Sequence, residues 1–321
     1  MRPHLLLLVA APRGFCAGVV RAIDLVERAL SQYGPPIYVR HAIVHNPSVI
    51  ARFENQGVVF VEELDEVPRG AIVIFSAHGV AKYVSEEARR RNLFALDATC
   101  PLVTKVHREV EHYVGNGCEV LLIGHPGHPE VFGTMGRVPE GTIRLVDSPE
   151  TARNICLDLT RDYAYAQQTT LAIDEAEQIL AILRARLPRL RGPAKDDICF
   201  ATTNRQQAVS AIAPRCDALI VVGGKTSANS RRLVEIAERS GCQRSLLLEH
   251  PSHFDLAWLD GVRVLGLSSG ASTPEDLLEG LLSLLRASFE VDVQRIEVMK
   301  EKEITFRLPP MPDFRGAAPA R

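Results

Sequence analysis

The chain has 321 residues, 37 of them basic and 39 acidic, with no long run of either sign. Such a balance favours neither nucleic acid nor an anionic membrane as the main partner. The length exceeds one ordinary hydrophobic core, so two or three domains are expected, and the seven cysteines, an odd number, point to metal ligands or catalytic thiols rather than a disulfide framework.

The chain begins with the apolar run HLLLLVAA at residues 4–11, far shorter than the ~20 residues that span a bilayer, and reads as a buried strand. The polar PRGF that follows, with bulky Phe15 where a signal-peptide cleavage site needs small residues, argues against a leader and for a cytoplasmic protein. Cys16 ends this loop, and apolar residues spaced by three and four predict a helix over Val19 to Leu30. His45 lies in IVHNP and His78 in SAHGV, just after the apolar IVIFSA run; His41, earlier in the same segment as His45, is a weaker candidate. Cys100 in DATCPLV precedes a helix expected over Val103 to Val114, in which His107 and His112 read as ordinary helical residues.

The run VLLIG then hands over to GHPGHPE, which carries His125, His128 and Glu130, and QQTTL carries Thr169. After the Pro, Gly and Arg-rich PRLRGPAKD, Cys199 in DDICFATTN precedes helical residues Gln206 to Ile212. LIVVGG runs into KTSANS and a helix over Arg231 to Arg239; VRVLGLSSG runs into ASTP and an apolar helix over Leu277 to Leu285. The chain closes with VDVQRIEV, EITFRL and a Pro-rich tail, expected to be poorly ordered or clasping. Strands that repeatedly hand over to helices predict α/β architecture with mostly parallel sheets: three similar small domains at 1–97, 98–195 and 196–288, and a C-terminal strand and tail at 289–321. Ligands of such sheets bind beyond the carboxyl ends of the strands, where these motifs fall.

Cys16, Cys100 and Cys199 each stand before a helix-like segment, where free N–H groups and the helix dipole stabilise a thiolate. Plain burial and zinc are the alternatives, but structural zinc sites use paired CxxC or HxxxH ligands, whereas these cysteines are single and far apart. An iron–sulfur cluster held by three thiolates fits better, and three ligands on a four-iron cube leave one iron open as a Lewis acid. Cys118, Cys156, Cys216 and Cys242 lack polar flanks and read as structural. His45, His78 and His128, one from each of three strand ends, suit a diphosphate, although isolated histidines are more often ordinary. Glu130 is the best carboxylate for acid chemistry, and the Thr169 hydroxyl can relay a proton or hold a substrate oxygen. GGKTSANS is not a Walker motif, because its first glycine position is Leu219. It remains a Ser/Asn-rich anion site at a helix start, with Ser227, Asn229 and, from the GAST loop, Ser272 as candidates; simple helix capping is compatible with that role.

Taken together, PRGFCAGV, IVHNP, FSAHGV, DATCPLVTKVH, GHPGHPEVFGTMG, QTTL, DDICFATTNRQ, KTSANS and SGAS resemble the 4-hydroxy-3-methylbut-2-enyl diphosphate reductases, the LytB family. The resemblance implies three α/β domains in a trefoil around a central [4Fe–4S] cluster and the last, reductive step of the non-mevalonate isoprenoid pathway. It implies cluster ligation by Cys16, Cys100 and Cys199 with one open iron, and diphosphate contacts at His45, His78, His128, Ser227, Asn229 and Ser272. It places the proton-supplying acid at Glu130 and a hydroxyl partner at Thr169. The family commonly has a second serine where this chain has Ala228, whose backbone N–H remains able to serve. A ferredoxin or flavodoxin as electron donor, and a monomer or weak homodimer, complete the expectation. Rival readings are an aconitase-like hydro-lyase, which needs no external electrons, and a non-enzymatic iron–sulfur sensor of a diphosphate metabolite.

Overall fold

Leucine and β-branched runs form the strands, and all the strand ladders among the described residues are parallel. Parallel neighbours cannot be joined by a tight turn, which is why a helix intervenes between most of them. The structure, a computed structural model, describes residues 2–301 and 304–312. In chain order its elements are β1 (His4–Ala11), α1 (Ala17–Tyr33), β2 (Ile37–Arg40), α2 (Pro47–Glu54), β3 (Val58–Val61), β4 (Ile72–Phe75), α3 (Lys82–Arg90), β5 (Phe94–Asp97), α4 (Pro101–Gly115), β6 (Glu119–Ile123) and α5 (Pro129–Met135). They continue as β7 (Ile143–Val146), α6 (Pro149–Asn154), β8 (Tyr163–Gln167), α7 (Ile173–Arg186), α8 (Phe200–Ile212), β9 (Ala218–Val222), α9 (Ala228–Arg239), β10 (Ser245–Leu248), β11 (Val264–Ser269), α10 (Glu275–Ser288) and β12 (Glu290–Glu297). The strands make three sheets with orders β10-β9-β11-β1-β12, β3-β2-β4-β5 and β7-β6-β8.

Two compact units divide the chain. The first draws on Met1–Cys16, His45–Val49 and Phe200–Ile304, and is built on the five-stranded sheet. Alternate residues of its strands enter two different cores, as the period of two requires. Leu5, Leu7, Val9, Ile220, Val222, Leu265 and Leu267 pack with the leucines of α10, whereas Leu8, Ala10, Leu219 and Val221 pack with α8 and α9. Helices cover both faces, so the inner strands β1 and β9 are almost wholly apolar. The edge strand β12 is largely exposed and carries Asp292, Gln294 and Arg295, polar groups that discourage further strand pairing.

The second unit holds the remaining described residues and the other two sheets. Val61, Val73 and Phe75 of the four-stranded sheet pack with Val84 and Ala88 of α3. The three-stranded sheet has a core on each face, one with Ile179 and Leu183 of α7, the other with Val106 and Val110 of α4 and Val131 of α5.

Consecutive domains at 1–97, 98–195 and 196–288 do not describe these sheets. β1 pairs with β11 and β12, far along the chain, because an eight-residue strand apolar on both sides is satisfied only inside a two-faced sheet. Cys199 also does not follow a strand. It ends a loop that leaves α7 and meets the three-stranded sheet at an isolated bridge between Arg191 and Ala164. Of the four cysteines expected to be structural, Cys118 and Cys242 are buried in cores and Cys216 packs against one, but Cys156 is exposed. Residues 304–308 of EITFRL form no strand, and the tail from residue 313 lies outside the described residues. No helix among the described residues is long and apolar enough to cross a membrane.

Candidate active site

In the second unit, the GHPGHPE segment becomes the start of α5. His128 is its N-cap and Pro129 opens the first turn, and the His128 Nδ1 accepts the Glu130 N–H at 3.2 Å. A ring nitrogen that accepts carries no proton, so a neutral His128 has its proton on Nε2. Glu130 is only 2 % exposed. Its Oε1 accepts the Thr169 N–H at 2.6 Å and its Oε2 accepts the Thr169 hydroxyl at 2.9 Å. Burial pushes the carboxyl pKa up to about 7; the two Thr169 hydrogen bonds oppose this, and the negative Asp197 adds to it. The Thr169 carbonyl in turn accepts the Cys199 N–H at 3.0 Å, so one residue joins the buried acid to the loop that carries a candidate metal ligand.

Two residues that complete this arrangement escaped the sequence reading. Asp197 accepts the Gln167 N–H at 2.9 Å through Oδ2 and the Lys105 ammonium at 2.8 Å through Oδ1. Lys105 also donates to the Lys195 carbonyl at 2.6 Å, which ties the Asp-Asp-Ile-Cys loop to α4. The doubled aspartate before Cys199 and the lone lysine in VTKVH are the only traces of this in the sequence.

The β4 loop approaches the same region of the second unit. The His78 and His128 rings lie edge to face with centroids 5.8 Å apart, and His78 Nδ1 is 3.2 Å from the Ser76 hydroxyl. Cys100 caps α4 and donates its N–H to Ala77 at 3.0 Å. His107, which the sequence presents as an ordinary helical residue, is buried beneath this turn, and burial, followed by the nearby Arg137, drives its pKa down to about 4. Gly79 adopts a left-handed φ of +81°, and a Cβ there would stand 2.6 Å from His107 Cε1. Gly79→Ala therefore combines backbone strain with a ring clash and is expected to destabilise the protein by about 2 kcal/mol or more; a urea melt measures it.

In the first unit, three loops meet at the carboxyl ends of β1, β9 and β11. Ser227 caps α9 by accepting the Ser230 N–H at 3.2 Å, and Ala228 and Asn229 follow as its first buried residues. Ser272 donates to the His45 carbonyl at 3.1 Å. A Cβ at Gly224 would lie 2.7 Å from that carbonyl, so only glycine lets the β9 loop come so near. The Asn229 amide is buried with neither its oxygen nor its nitrogen partnered among the described residues, and the Ser268 and Ser269 hydroxyls share that condition. Orphaned buried polar groups cost free energy unless a ligand satisfies them. Asn229 stands in the first turn of α9, a helix start of the kind suited to an anion, and Ser268 and Ser269 end β11. The sequence motifs thus separate into two groups: His45, Ser227, Ala228, Asn229, Ser272 and Cys16 in the first unit, and His78, Cys100, His128, Glu130, Thr169 and Cys199 in the second.

The three singled-out cysteines share one local geometry. Each immediately precedes a helix, is half-buried and is outside any disulfide. Each donates its own N–H to a carbonyl of another loop: Cys16 to Ala271 at 3.1 Å, Cys100 to Ala77 and Cys199 to Thr169, both at 3.0 Å. Among the described residues no three His, Cys, Asp or Glu side chains form a ligand group for one metal ion. Single thiolates, each on its own loop with its backbone already anchored, are the donor chemistry that an iron–sulfur cluster uses.

The LytB protein family matches residues 7–286. The chain belongs to that family. This LytB chain is 52 % identical over 306 residues to a 4-hydroxy-3-methylbut-2-enyl diphosphate reductase of Gluconobacter oxydans, covering 94 % of the chain and 91 % of that relative. It is 50 % identical over 308 residues to the reductase of the same name from Hyphomonas neptunium, covering 96 % and 98 %. Its fold matches the solved structure of the E-1-hydroxy-2-methyl-but-2-enyl-4-diphosphate reductase of Plasmodium falciparum with a TM-score of 0.92 at 37 % identity, covering 96 % of each chain. A second solved structure, described as (E)-4-hydroxy-3-methyl-but-2-enyl diphosphate reductase, the terminal enzyme of the non-mevalonate pathway, matches with a TM-score of 0.64 at 31 % identity, covering 88 % of this chain and 99 % of that one.

Proposed function

We propose that this LytB protein reduces (E)-4-hydroxy-3-methylbut-2-enyl diphosphate to isopentenyl and dimethylallyl diphosphate. Two electrons and two protons enter, the allylic C–O bond breaks, the hydroxyl leaves as water, and a C–H bond forms. The observation that carries the reading is Glu130: a fully buried carboxyl, clasped at both oxygens by Thr169 and poised at about 7, is a proton donor matched to neutral pH. Cys16, Cys100 and Cys199 would hold a [4Fe–4S] cluster. When bound, it supplies low-potential electrons, and an iron without a protein ligand supplies Lewis acidity. A small ferredoxin or flavodoxin suits the donor role.

The chain's own residues account for positioning and protons. His45, Ser227, Asn229, Ser272 and the Ala228 N–H hold the diphosphate, with His78 and His128 as further imidazole donors. Thr169 binds the substrate hydroxyl and relays the Glu130 proton to it, which makes water rather than hydroxide the leaving group. With an artificial low-potential reductant, turnover is expected to be high below pH 7 and to fall about tenfold per unit above it, because only protonated Glu130 donates. A profile that rises through pH 8 would overturn this role.

Asn229→Ala isolates the anion contact. The amide has no partner to lose among the described residues, so folding should change little. KM for the diphosphate should rise about tenfold with kcat nearly constant, the pattern of lost uniform binding worth about 1.4 kcal/mol.

A further inference from the structure

Arg205, on α8, is completely buried, and no proposed substrate or proton role uses it. A buried guanidinium is costly unless its fork is fully engaged. Here it is. Nε and Nη2 donate to the Gly14 carbonyl at 3.0 and 2.8 Å, and Nη2 reaches the Phe15 carbonyl at 3.2 Å. Nη1 donates to the Ala201 carbonyl at 2.9 Å and to Glu301 at 3.0 Å. The Arg205 fork thus gathers carbonyls of the two residues immediately before Cys16. The amides on the other side of this loop are also held: the Gly14 N–H donates to Ser269 at 3.3 Å and the Cys16 N–H to Ala271 at 3.1 Å. Those two acceptors, Ser269 and Ala271, lie just before Ser272, whose hydroxyl reaches the His45 carbonyl. Within the first unit, one continuous hydrogen-bonded frame therefore runs from Glu301 through Arg205 to the Cys16 loop and on to Ser272.

We propose that Arg205 is a positioning residue for Cys16, locked by Glu301, so that the segment after β12 fixes the geometry of this thiol. The anchor comes from beyond residue 286, where the family match ends. Asn204 donates to the same Glu301 oxygen at 3.0 Å, which holds the carboxylate where Arg205 needs it. Lysine cannot replace this arrangement, since a point charge on a flexible stem lacks the planar fork. The consequence for a cluster rests on the reading of Cys16 as a ligand; the consequence for the thiol does not.

The test uses the full-length protein with Arg205→Lys and Glu301→Gln. In cluster-free protein, iodoacetamide labelling of each cysteine is followed by peptide mass spectrometry. Labelling at Cys16 should accelerate about fivefold or more in Arg205→Lys and by less in Glu301→Gln, through local opening of the loop, with Cys199 unchanged. In reconstituted, reduced protein, the electron paramagnetic resonance g-values should shift in both variants. If Arg205→Lys does not fold, Glu301→Gln decides alone. Unchanged Cys16 labelling in a folded variant overturns the proposal. If the wild-type protein takes up no cluster, the cofactor reading fails, and the labelling comparison still decides the role of Arg205.

Discussion

Glu130→Gln should lower turnover by about 10²- to 10⁴-fold, the range general acids typically contribute, while the protein still folds. Glutamine preserves the shape, its carbonyl oxygen can accept the Thr169 N–H, and its amide can donate to the Thr169 hydroxyl, so both contacts of the buried carboxyl have isosteric substitutes. What is lost is the transferable proton. The variant also carries a stability signature with a defined sign. The folded-state pKa of Glu130, about 7, stands above its ordinary value of 4.5, so folding favours the protonated form. Its contribution is fully present below about pH 4.5 and is lost as pH rises through 7. Glutamine does not titrate, so the wild type should lose stability relative to Glu130→Gln between pH 5 and 8. Thermal melts across that range measure it, and parallel melting curves would show that the carboxyl is not held as the structure has it.

Cys100→Ser should abolish the cluster and with it all turnover, without unfolding the chain. The structural duties of Cys100 fall on its backbone, which caps α4 and donates to Ala77. Serine keeps that N–H and is itself a favoured N-cap residue. A serine hydroxyl, however, is a poor replacement for a soft thiolate on iron. Iron and sulfide content after anaerobic reconstitution should collapse in Cys100→Ser and stay at the wild-type level in Cys156→Ser, whose thiol is exposed and far from this chemistry in sequence. Full iron content in Cys100→Ser would remove Cys100 from the ligand set.

Local chemistry was the legible part. The apolar runs before residues 12, 76, 124, 223 and 270 all became strands, because continuous burial on two faces leaves a plain hydrophobic record. Glu130 and Thr169, chosen for their residue types beside strand ends, proved to be bonded to each other. Partner choice among strands was not legible. Leu5 through Ala11 would be equally content in any two-faced sheet, and nothing local selects β11 and β12 over β4. The Lys105–Asp197 and Arg205–Glu301 pairs were also hidden, since each joins residues more than about 90 positions apart through charges that read as surface polarity until the fold buries them. Asn229 lies between: its type suggested an anion contact, but only the burial of an unpartnered amide gives that suggestion physical weight.

The proposed reaction is a two-electron reductive loss of water that depends on an external reductant. Anaerobic, reconstituted protein should convert one (E)-4-hydroxy-3-methylbut-2-enyl diphosphate to isopentenyl or dimethylallyl diphosphate for every two electrons taken from a low-potential donor, and convert none when the donor is withheld. Turnover without reductant would make the chain a hydro-lyase, and tight binding with no turnover under reducing conditions would make it a sensor; either result contradicts the account.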